Sequence, residues 1–597
     1  MFLAIFLGFI SPTECLSENK SETNGTSNII NAYGREYQSL NGEWNIIIDP
    51  NDRGYNDFWK NQKPRNNNEF REYSFDDGYR LNVPGDFNSQ MPELKYYEGT
   101  VWYGRYFDIE EPQRTDDKRI LYFAGVSNVA NVYLNGEYIG SHEGGFTPFS
   151  FDVTDRLKPS ENFIAVAVNN KRKADGIPSM NFDWWNYGGI TRDVMLLSVP
   201  KKHIVDYFLR LNPNNPSLIT IDVEISEPIE GEQIEVSIPE IGANVKLVTN
   251  TMGKATGLLN AKKFKRWESG NPKLYEVFLK SRNDTVSEKI GFRTIETKGN
   301  KIIMNGVPIF LKGVNLHEEI PQRKGRAFTD ADAAMLLHEA KEMGVNFIRL
   351  AHYPHNEHII RMAEQMGLVL WEEIPIWQNI DFGNPKTDSL ASNMMSEMIE
   401  RDKNRASIIM WSVANETWPS EARDKSLLGL IELTREMDNS RLVTAAFNNP
   451  YYDRESNCFV LKNDPVAEAV DVIGVNKYIG WYEDWYQSPD SLKWKVLDEK
   501  PLIFSEFGGE ALYGNHENPD AKWSWSEEYQ SQLYRDNLKM FENISNLAGV
   551  APWVMFDFRS PTRFSPQQGF EFNRKGLVSD RGERKQAWYV MKNYYSH

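Results

Sequence analysis

The sequence predicts a multidomain protein in which a β jelly-roll sandwich and an immunoglobulin-like β-sandwich precede a (β/α)8 TIM barrel. The chain has 597 residues, more than one hydrophobic core usually spans. Residues 28–298 contain short alternating apolar runs separated by turn residues, which is typical of β-sandwiches. Residues 299–597 contain apolar runs that alternate with amphipathic helical stretches, the pattern of a parallel barrel.

Residues 28–200 form the predicted jelly roll. Asn135 and Gly136 stand between two alternating apolar runs, which is a strong signal for a β-hairpin. Further runs of β-forming residues lie on both sides of it: WNIIID (44–49), TVWYGRYFDI (100–109), RILYFAGV (119–126) and NFIAVAVNN (162–170).

Residues 201–298 form the second predicted domain. Its β runs are ITIDVEI (219–225), IEVSIPE (234–240) and LYEVFLK (274–280). A segment of about 100 residues with several such strands suits a small immunoglobulin-like sandwich.

Residues 299–597 form the predicted catalytic barrel. Amphipathic helices are predicted between its strands, for example at 331–344 and 357–367. The predicted strands are IFLKGVN (309–315), NFIRLAH (346–352), LVLWEEI (368–374), IIMWSVANE (408–416), LVTAAF (442–447), VIGVNKY (472–478), LIFSEFG (502–508) and VAPWVMFDF (550–558).

The first 27 residues are expected to lie outside these domains. Residues 1–16 begin with the apolar run MFLAIFLGFI and predict a secretory signal peptide, although no Lys or Arg precedes the run. A buried N-terminal strand or a mis-assigned start codon would give the same pattern. Residues 17–27 are rich in Ser, Asn and Glu, which is typical of a linker. We therefore expect an exported protein, periplasmic or secreted.

The two cysteines, Cys15 and Cys458, exclude a disulfide framework. Lipidation of Cys15 is an alternative to secretion, but the preceding residues PTE are a poor match to the small residues that lipoprotein processing prefers. No other apolar run reaches the roughly 18 residues that a membrane span requires. The formal net charge of −17 argues against nucleic acid or an anionic membrane as a partner, but it leaves room for a local basic pocket that binds an acidic substrate.

Polar residues follow the predicted barrel strands, and the C-terminal ends of barrel strands meet at the mouth where active sites lie. Glu416 and Glu506 follow strands four and seven, so we expect their carboxyl groups on opposite sides of one cavity. Such a pair suits glycoside hydrolysis, because one group donates a proton to the leaving oxygen while the other attacks or activates water. The full set of strand-end residues is His317, His352, Glu372, Glu373, Asn415, Glu416, Asn476, Tyr478, Glu506, Trp553 and Asp557.

Each of these residues also has a structural interpretation. A single Glu at a strand end is more often an ion-pair partner than a catalyst, and His317 and His352 are equally consistent with hydrogen-bonded core histidines. Glu372 and Glu373 are adjacent, so only one of them is expected to face the mouth. The sequence HEE at 317–319 lacks the helical i, i+4 spacing of zinc ligands. This spacing argues against metal catalysis.

A set of motifs occurs in a fixed order along nearly the whole chain. These are SLNGEWNI (39–46), NVPGDFN (82–88), YEGTVWYGRYF (97–107), HEGGFTPFSFDVT (142–154), NYGGITRDVML (186–196) and GFRTIE (291–296). Together they resemble glycoside hydrolase family 2, which includes β-galactosidases, β-mannosidases and β-glucuronidases. The resemblance implies a retaining glycosidase in which a sugar-binding-like jelly roll precedes the catalytic barrel.

The resemblance also implies a role for each matching residue. Glu416, in NE, matches the family's acid/base, and Glu506, in FSEFG, matches its nucleophile. Asn415 matches the residue that hydrogen-bonds the sugar 2-hydroxyl, and Tyr478 matches the residue that orients the nucleophile. The other matches line or approach the sugar subsite: His317, His352, Asn476 near the nucleophile, Trp553 as a stacking aromatic and Asp183, which the jelly roll extends into the barrel mouth.

The implied mechanism is double displacement, with the two carboxyl groups about 5–5.5 Å apart. It requires no metal and no organic cofactor. Glu506 must be ionised when it attacks the anomeric carbon. Glu416 must begin protonated, so we expect a less polar setting and a nearby negative charge to raise its pKa. Once Glu506 is glycosylated its charge disappears, and Glu416 then acts as the base for water.

The C-terminal sequence FNRKG resembles the Asn-x-Lys element with which β-glucuronidases of the family bind the C6 carboxylate of a uronic acid. Asn573 and Lys575 match it, and an ammonium group beside an amide suits a carboxylate. The alternative interpretation of Lys575 is a surface cation. These glucuronidases usually carry an Arg four residues before the Asn, where this chain has Gly569; Arg559 and Arg563 are the candidate substitutes.

We therefore predict an exo-acting retaining β-glucuronidase that releases terminal uronic acid from oligosaccharide or polysaccharide fragments. The alternative is a β-galactosidase or another β-glycosidase of the family, because WEEIPIW (371–377) and DFRSPTR (557–563) resemble relatives of broader specificity. A catalytically inactive carbohydrate-binding protein is a third hypothesis, which the presence of both Glu416 and Glu506 disfavours. The sequence leaves the oligomeric state open, a homo-oligomer included.

Overall fold

The structure is a computed structural model that describes residues 29–61, 73–76, 78–110, 117–261, 264–566 and 569–596. The predicted signal peptide (1–16), the predicted linker (17–27) and Cys15 lie outside the described residues. Within the described ranges, no helix combines the length and the apolar character needed to cross a membrane.

The first sandwich consists of two antiparallel sheets that pack face to face around a core containing Trp44, Leu121 and Val166. Asn135 and Gly136 have φ angles of 52° and 84° and join two paired strands, so the predicted hairpin is confirmed. The six-stranded sheet contains, in spatial order, Tyr79–Val83, Gly42–Asp49, Thr100–Phe107, Asn162–Asn169, Val129–Leu134 and Glu137–Glu143. The four-stranded sheet contains Glu36–Ser39, Val194–Pro200, Asp117–Phe123 and Phe149–Asp152.

The second sandwich has one three-stranded and one four-stranded sheet, which bury alternate residues such as Ile221 and Val236 between them. The three-stranded sheet contains Ile204–Asn212, Asn215–Ile225 and Lys254–Asn260. The four-stranded sheet contains Ala243–Val248, Gln233–Ile238, Leu274–Lys280 and Thr285–Gly291. A small sheet of Ile295–Lys298, Lys301–Met304 and Val307–Ile309 then leads to the barrel.

Eight parallel strands close into a barrel, as the sequence predicts. Their residues are almost all buried because helices cover the outer surface and side chains fill the interior. The strands are Leu311–Leu316, Phe347–Leu350, Val369–Glu373, Ile408–Asn415, Leu442–Phe447, Val472–Asn476, Leu502–Glu506 and Leu547–Val550. The main helices of this region are Asp330–Glu342, Glu357–Met366, Pro385–Asp402, Glu421–Met437, Pro465–Ala469, Glu527–Phe541 and Gln586–Tyr595.

The eighth strand lies earlier than predicted. The sequence indicated residues 550–558, whereas the strand is Leu547–Val550 and the chain then turns across the barrel mouth. Pro552 has no backbone N–H and therefore cannot continue the hydrogen-bond ladder. The apolar side chains that follow are buried at the mouth, which explains why their sequence resembles a strand.

The first sandwich packs against the mouth of the barrel. Arg192, which is 3% exposed, forms an ion pair of 2.8 Å with Glu318 of the barrel and also donates to the carbonyl oxygen of Pro354. Asp86 of the first sandwich also accepts a hydrogen bond from the backbone N–H of Arg326 of the barrel region. These contacts bring the segment 177–184 of the first sandwich to the rim of the barrel.

Candidate active site

The two predicted catalytic carboxyl groups are carried by the ends of barrel strands four and seven. Glu506 is the last residue of its strand and is 4% exposed. Glu416 follows the last residue of strand four, is half-buried and has a left-handed backbone with φ of 55°. This conformation is uncommon for a residue other than glycine and turns the chain out of the strand direction.

Glu506 is held by two donors. Arg349 Nη1 lies 2.6 Å from its Oε1, and the hydroxyl group of Tyr478 lies 2.6 Å from its Oε2. Burial and the negative charges of Glu506 and Glu416 raise the pKa of Tyr478 well above its usual value. The phenol therefore keeps its proton and donates a hydrogen bond to the carboxylate, which fixes the orientation of Glu506.

Glu416 accepts an amide hydrogen bond at each carboxylate oxygen. Asn476 Nδ2 lies 2.9 Å from Oε1, and Gln378 Nε2 lies 3.0 Å from Oε2. Burial is the main cause that raises the pKa of Glu416, and the negative charge of Glu506 raises it further, whereas the two amides act in the opposite direction. The expected raised pKa, the property of a general acid, is therefore present.

Arg349 connects the two sides of the site from a fully buried position in barrel strand two. Its guanidinium group contacts Glu506, forms a 2.8 Å hydrogen bond with Glu373 Oε1 and donates to Asn415 Oδ1 at 2.7 Å. Asn476 Nδ2 also donates to Asn415 Oδ1. These contacts to Oδ1 fix the orientation of the Asn415 amide. Its buried Nδ2 group has no partner among the described residues. That group is available to a ligand.

Aromatic rings form the wall beside the catalytic pair. The His352 ring stacks on Trp553 with centroids 4.8 Å apart, and its Nδ1 lies 2.8 Å from Glu373 Oε1. His317 meets Trp553 edge to face at 5.3 Å. Burial is the main cause that lowers the pKa of His317 well below its usual value, and nearby positive charges add to it, so its ring is neutral. Its buried Nε2 has no partner in the described part of the chain.

Asp183 reaches the barrel from the first sandwich and joins a polar cluster. Asn573 Nδ2 donates to its Oδ2 at 3.0 Å, and Arg563 Nη2 lies 3.3 Å from the same oxygen. Burial would raise the pKa of Asp183, but Arg563 and Lys575, together with hydrogen bonds from Ser560 and Thr562, outweigh it and lower the pKa.

Lys575 occupies the other side of this cluster and is 2% exposed. Its Nζ lies 2.7 Å from the Tyr482 hydroxyl and 3.3 Å from Glu510 Oε1. Burial would lower its pKa, but Tyr482 and Glu510 raise it, so the ammonium group stays charged. Lys575 Nζ also lies 5.6 Å from the ring centroid of Tyr478, whose hydroxyl holds Glu506. The polar cluster therefore borders Tyr478, the residue that holds Glu506.

The structure brings together, in two adjacent groups, the eleven residues to which the family resemblance gives a role. The catalytic group contains Glu416, Glu506, Asn415, Asn476, Tyr478, His352, His317 and Trp553. The polar cluster contains Asp183, Asn573 and Lys575. Of the adjacent pair on strand three, Glu373 faces the cavity, whereas Glu372 forms an ion pair with Arg401 on the outer side of the barrel.

The remaining candidates differ from one another. Arg563 joins the polar cluster, whereas Arg559 lies over the Trp185 ring and its backbone N–H donates to Glu319. Asp557 forms ion pairs with Lys585 and Arg574.

Sequence reasoning missed four residues that organise the site: Arg349, Gln378, Tyr482 and Glu510. The only available signal was for Arg349, a charged residue inside the apolar run NFIRLAH. A buried charge in such a run requires partners, and the mouth is where the barrel can supply them. Gln378 and Glu510 lie on loops, and their partners depend on the tertiary fold.

Comparison with known proteins agrees with this architecture. The family model described as glycosyl hydrolases family 2, TIM barrel domain, matches residues 295–597. The model described as glycosyl hydrolases family 2, sugar binding domain, matches residues 37–200.

Several relatives and solved structures carry β-glucuronidase names. A putative β-glucuronidase of Formosa agariphila is 30% identical over 574 residues, covering 86% of this chain and 66% of that protein. A β-glucuronidase of Streptococcus agalactiae is 29% identical, covering 86% of this chain and 92% of that protein. The structure of a β-glucuronidase from Ruminococcus gnavus in complex with D-glucuronic acid has a TM-score of 0.80 and 26% identity, covering 94% of this chain and 98% of that one. Because the barrel model alone matches more than half of the residues, this chain belongs to glycosyl hydrolase family 2 and is a glycosidase of that family.

Proposed function

We propose that the protein is an exo-acting retaining β-glucuronidase that removes a terminal uronic acid from oligosaccharide or polysaccharide fragments. The observation that carries this proposal is the buried ammonium group of Lys575, which lies 5.6 Å from the ring centroid of Tyr478, the residue that holds Glu506. The names of the relatives and of the solved structures support the same activity. A uronic acid carries a carboxylate on C6, and a charged lysine beside amide donors is suited to bind it.

In the first step, Glu506 attacks the anomeric carbon and forms a glycosyl ester while the bond to the aglycone oxygen breaks. Glu416 gives its proton to that departing oxygen. The raised pKa of Glu416 supports this role, because the carboxyl group must be protonated before the step. Asn415 Nδ2 has no protein partner and is available to donate to the sugar 2-hydroxyl.

In the second step, Glu416 removes a proton from water, and the water oxygen attacks the anomeric carbon. The ester bond to Glu506 breaks, and the uronic acid leaves with its original anomeric configuration. Tyr478 orients Glu506, and Asn476 positions Glu416 and Asn415. His317, His352 and Trp553 form the wall of the sugar subsite.

The glycone carboxylate is assigned to Lys575, Asn573 and Arg563. Arg563 Nη2 contacts both Asp183 and Tyr482, and its buried Nε has no partner among the described residues. We propose that it supplies the positive charge that Gly569 does not. Asp183 holds Asn573 and Arg563 in position from the first sandwich.

A β-galactosidase is the second candidate function. The observation that favours it is the presence of Asp183 and Glu510 beside the two cations, because these carboxylates balance the positive charge and can accept hydrogen bonds from neutral sugar hydroxyls. The two candidate functions make different predictions for Lys575. Only a β-glucuronidase should need this ammonium group more for a charged glycone than for a neutral one.

A side-by-side assay of aryl β-glucuronide and aryl β-galactoside tests the proposal. We expect turnover of the glucuronide, and we expect Lys575→Ala to lower its kcat/KM by about 10²-fold or more, because a charge-assisted contact is lost. Lys425→Ala, at an exposed helical position, is the control and should have no effect. Equal losses on both substrates in Lys575→Ala, or turnover of the galactoside alone, would contradict the assignment.

We also propose that residues 1–16 are a signal peptide and 17–27 a linker, and that the mature protein is periplasmic or secreted. The proposed domains are 28–200, 201–298 and 299–597. Mass spectrometry of the protein recovered from an exporting host would test the cleavage, because an uncleaved N-terminus contradicts it. Analytical ultracentrifugation would test whether the protein forms a homo-oligomer.

A further inference from the structure

Two tryptophans flank Glu416, and neither has a role in the mechanism above. Trp418 follows Glu416 by two residues and is 58% exposed. Trp377 is half-buried and directly precedes Gln378, whose amide donates to Glu416 Oε2. Both tryptophans are therefore chain neighbours of the acid/base group: Trp418 through Thr417, and Trp377 through the hydrogen-bonded Gln378.

Trp377 is held firmly in place. Its segment pairs with the end of barrel strand four, since the Gln378 N–H donates to the Asn415 carbonyl at 2.9 Å and the Asn415 N–H donates to the Ile376 carbonyl at 2.8 Å. The Trp377 ring meets Trp184 of the first sandwich edge to face, with centroids 6.0 Å apart. Trp184 in turn lies 5.5 Å from the His352 ring.

Trp418 belongs to a short loop with fixed ends. Thr417 is buried and accepts a hydrogen bond from Arg423 Nε at 3.1 Å, and Ser420 caps the helix Glu421–Met437. The loop is therefore anchored on both sides of Trp418, although the indole itself is exposed. A fixed backbone reduces the entropy that the side chain loses when a ligand covers it.

The chemistry of Glu416 places the aglycone beside these rings. A general acid must lie within hydrogen-bond distance of the oxygen that it protonates, so the first group of the aglycone begins next to the Glu416 carboxyl group. The glycone lies on the other side, toward Tyr478 and Lys575. Trp377 and Trp418 therefore border the space that the aglycone occupies.

We propose that Trp377 and Trp418 form the aglycone-binding surface, and that its ligand is a pyranose ring, so that the protein acts on a sugar-linked uronic acid. The C–H face of a pyranose is flat and apolar and packs on an indole, whereas its hydroxyl groups need polar partners. The loop after Trp377 supplies exposed polar side chains, Asn379 and Asp381. An aromatic aglycone without hydroxyl groups would not require these polar side chains. This inference rests on the proposed β-glucuronidase activity.

The test compares two substrates that share the glycone. One is a disaccharide with β-linked glucuronic acid at its non-reducing end, and the other is methyl β-D-glucuronide, whose aglycone is too small to reach an indole. We expect Trp418→Ala to lower the ratio of kcat/KM for the disaccharide to kcat/KM for the methyl glucuronide by about tenfold, as the loss of an aromatic contact predicts. Trp377→Ala should lower the same ratio. Tyr589→Ala, at an equally exposed position of 58% on the C-terminal helix, should leave it unchanged.

The outcomes separate this inference from the proposed function. Failure of the wild-type protein to hydrolyse either substrate would contradict the β-glucuronidase proposal itself. Hydrolysis of both substrates with an unchanged ratio in Trp418→Ala and Trp377→Ala would overturn the aglycone inference alone. An aryl β-glucuronide serves as a third substrate: a loss confined to it, with the disaccharide unaffected, would indicate an aromatic aglycone and would also overturn the inference.

Discussion

The two amide donors on Glu416 explain how one carboxyl group can serve as both acid and base. Burial and the charge of Glu506 favour the protonated form, whereas Asn476 and Gln378 favour the ionised form. When Glu506 becomes a glycosyl ester its charge is lost, and the balance moves toward the ionised form. The amide groups therefore limit how far the pKa of Glu416 rises in the free enzyme.

Gln378→Leu should raise the pKa of Glu416, because it removes a hydrogen bond that stabilises the carboxylate. The alkaline limb of the pH profile of kcat/KM reports the acid of the free enzyme, so this limb should move to higher pH. The acid limb should stay in place. A downward shift or an unchanged alkaline limb would contradict the role given to Gln378.

Glu506→Gln should abolish turnover of an aryl β-glycoside, with a loss on the order of 10⁴-fold or more, because an amide cannot form the glycosyl ester. The side chains have nearly the same shape, so the circular dichroism spectrum should be unchanged. Glu432→Gln, at an exposed helical position, is the control. Substantial remaining activity in Glu506→Gln would remove the nucleophile assignment, whereas a wild type without any activity would favour the inactive binding protein.

The residues that end barrel strands could be predicted from the sequence, because strand order and direction determine which positions meet at the mouth. Their mutual contacts could not. Arg349 links Asn315, Glu373, Asn415 and Glu506, whose sequence separations from it range from 24 to 157 residues. No local pattern encodes such a set of partners.

At the level of the elements, turn chemistry was more informative than apolar runs. The Asn135-Gly136 signal located a hairpin to the residue, because its two left-handed positions suit few other residues. The apolar run at 550–558 led to a wrong predicted position for barrel strand eight. Residues that are buried at the mouth have the same apolar side chains as residues that are buried in a strand.

The hairpin provides a test in which the backbone conformation is the only variable. Gly136 has φ of 84°, Gly429 lies in the helix Glu421–Met437, and an added Cβ would meet no atom within 4 Å at either position. Gly136→Ala should destabilise the first sandwich by about 1 kcal/mol because of its left-handed backbone. Gly429→Ala should stabilise the barrel by roughly 0.4–1 kcal/mol. Midpoints of chemical denaturation measure both, and shifts of the same sign would contradict the argument.

For the whole molecule, the site depends on the first sandwich as well as on the barrel. The family resemblance implied that Asp183 enters the mouth, but the partners of Asp183 come from a segment more than 370 residues away, at Ser560, Thr562, Arg563 and Asn573. The orientation of the two units fixes these contacts. It depends on interface residues whose partners in the barrel cannot be identified from the sequence motifs that contain Asp86, Arg192 and Asp193.

His358 is one of these interface residues. Its Nε2 lies 3.1 Å from Asp193 of the first sandwich, and its Nδ1 lies 2.7 Å from Asp330 at the start of a barrel helix. Both ring nitrogens can donate only when the imidazole is protonated. Burial opposes the charge, but the hydrogen bonds to Asp193 and Asp330 outweigh it and raise the pKa of His358 from 6.5 to about 9.

This raised pKa predicts how the interface responds to pH. The folded-state pKa lies above the unfolded value, so the contribution of His358 to stability is fully present below about pH 6.5 and is lost as pH rises through about 9. At pH 6, His358→Gln should lower the free energy of unfolding by roughly 2–3 kcal/mol. Between pH 6.5 and 9 the variant should lose less stability than the wild type. Denaturation curves across this range measure both effects, with His338→Gln at an exposed helical position as the control. If the two proteins show parallel pH dependence, the interface does not rely on a charged His358.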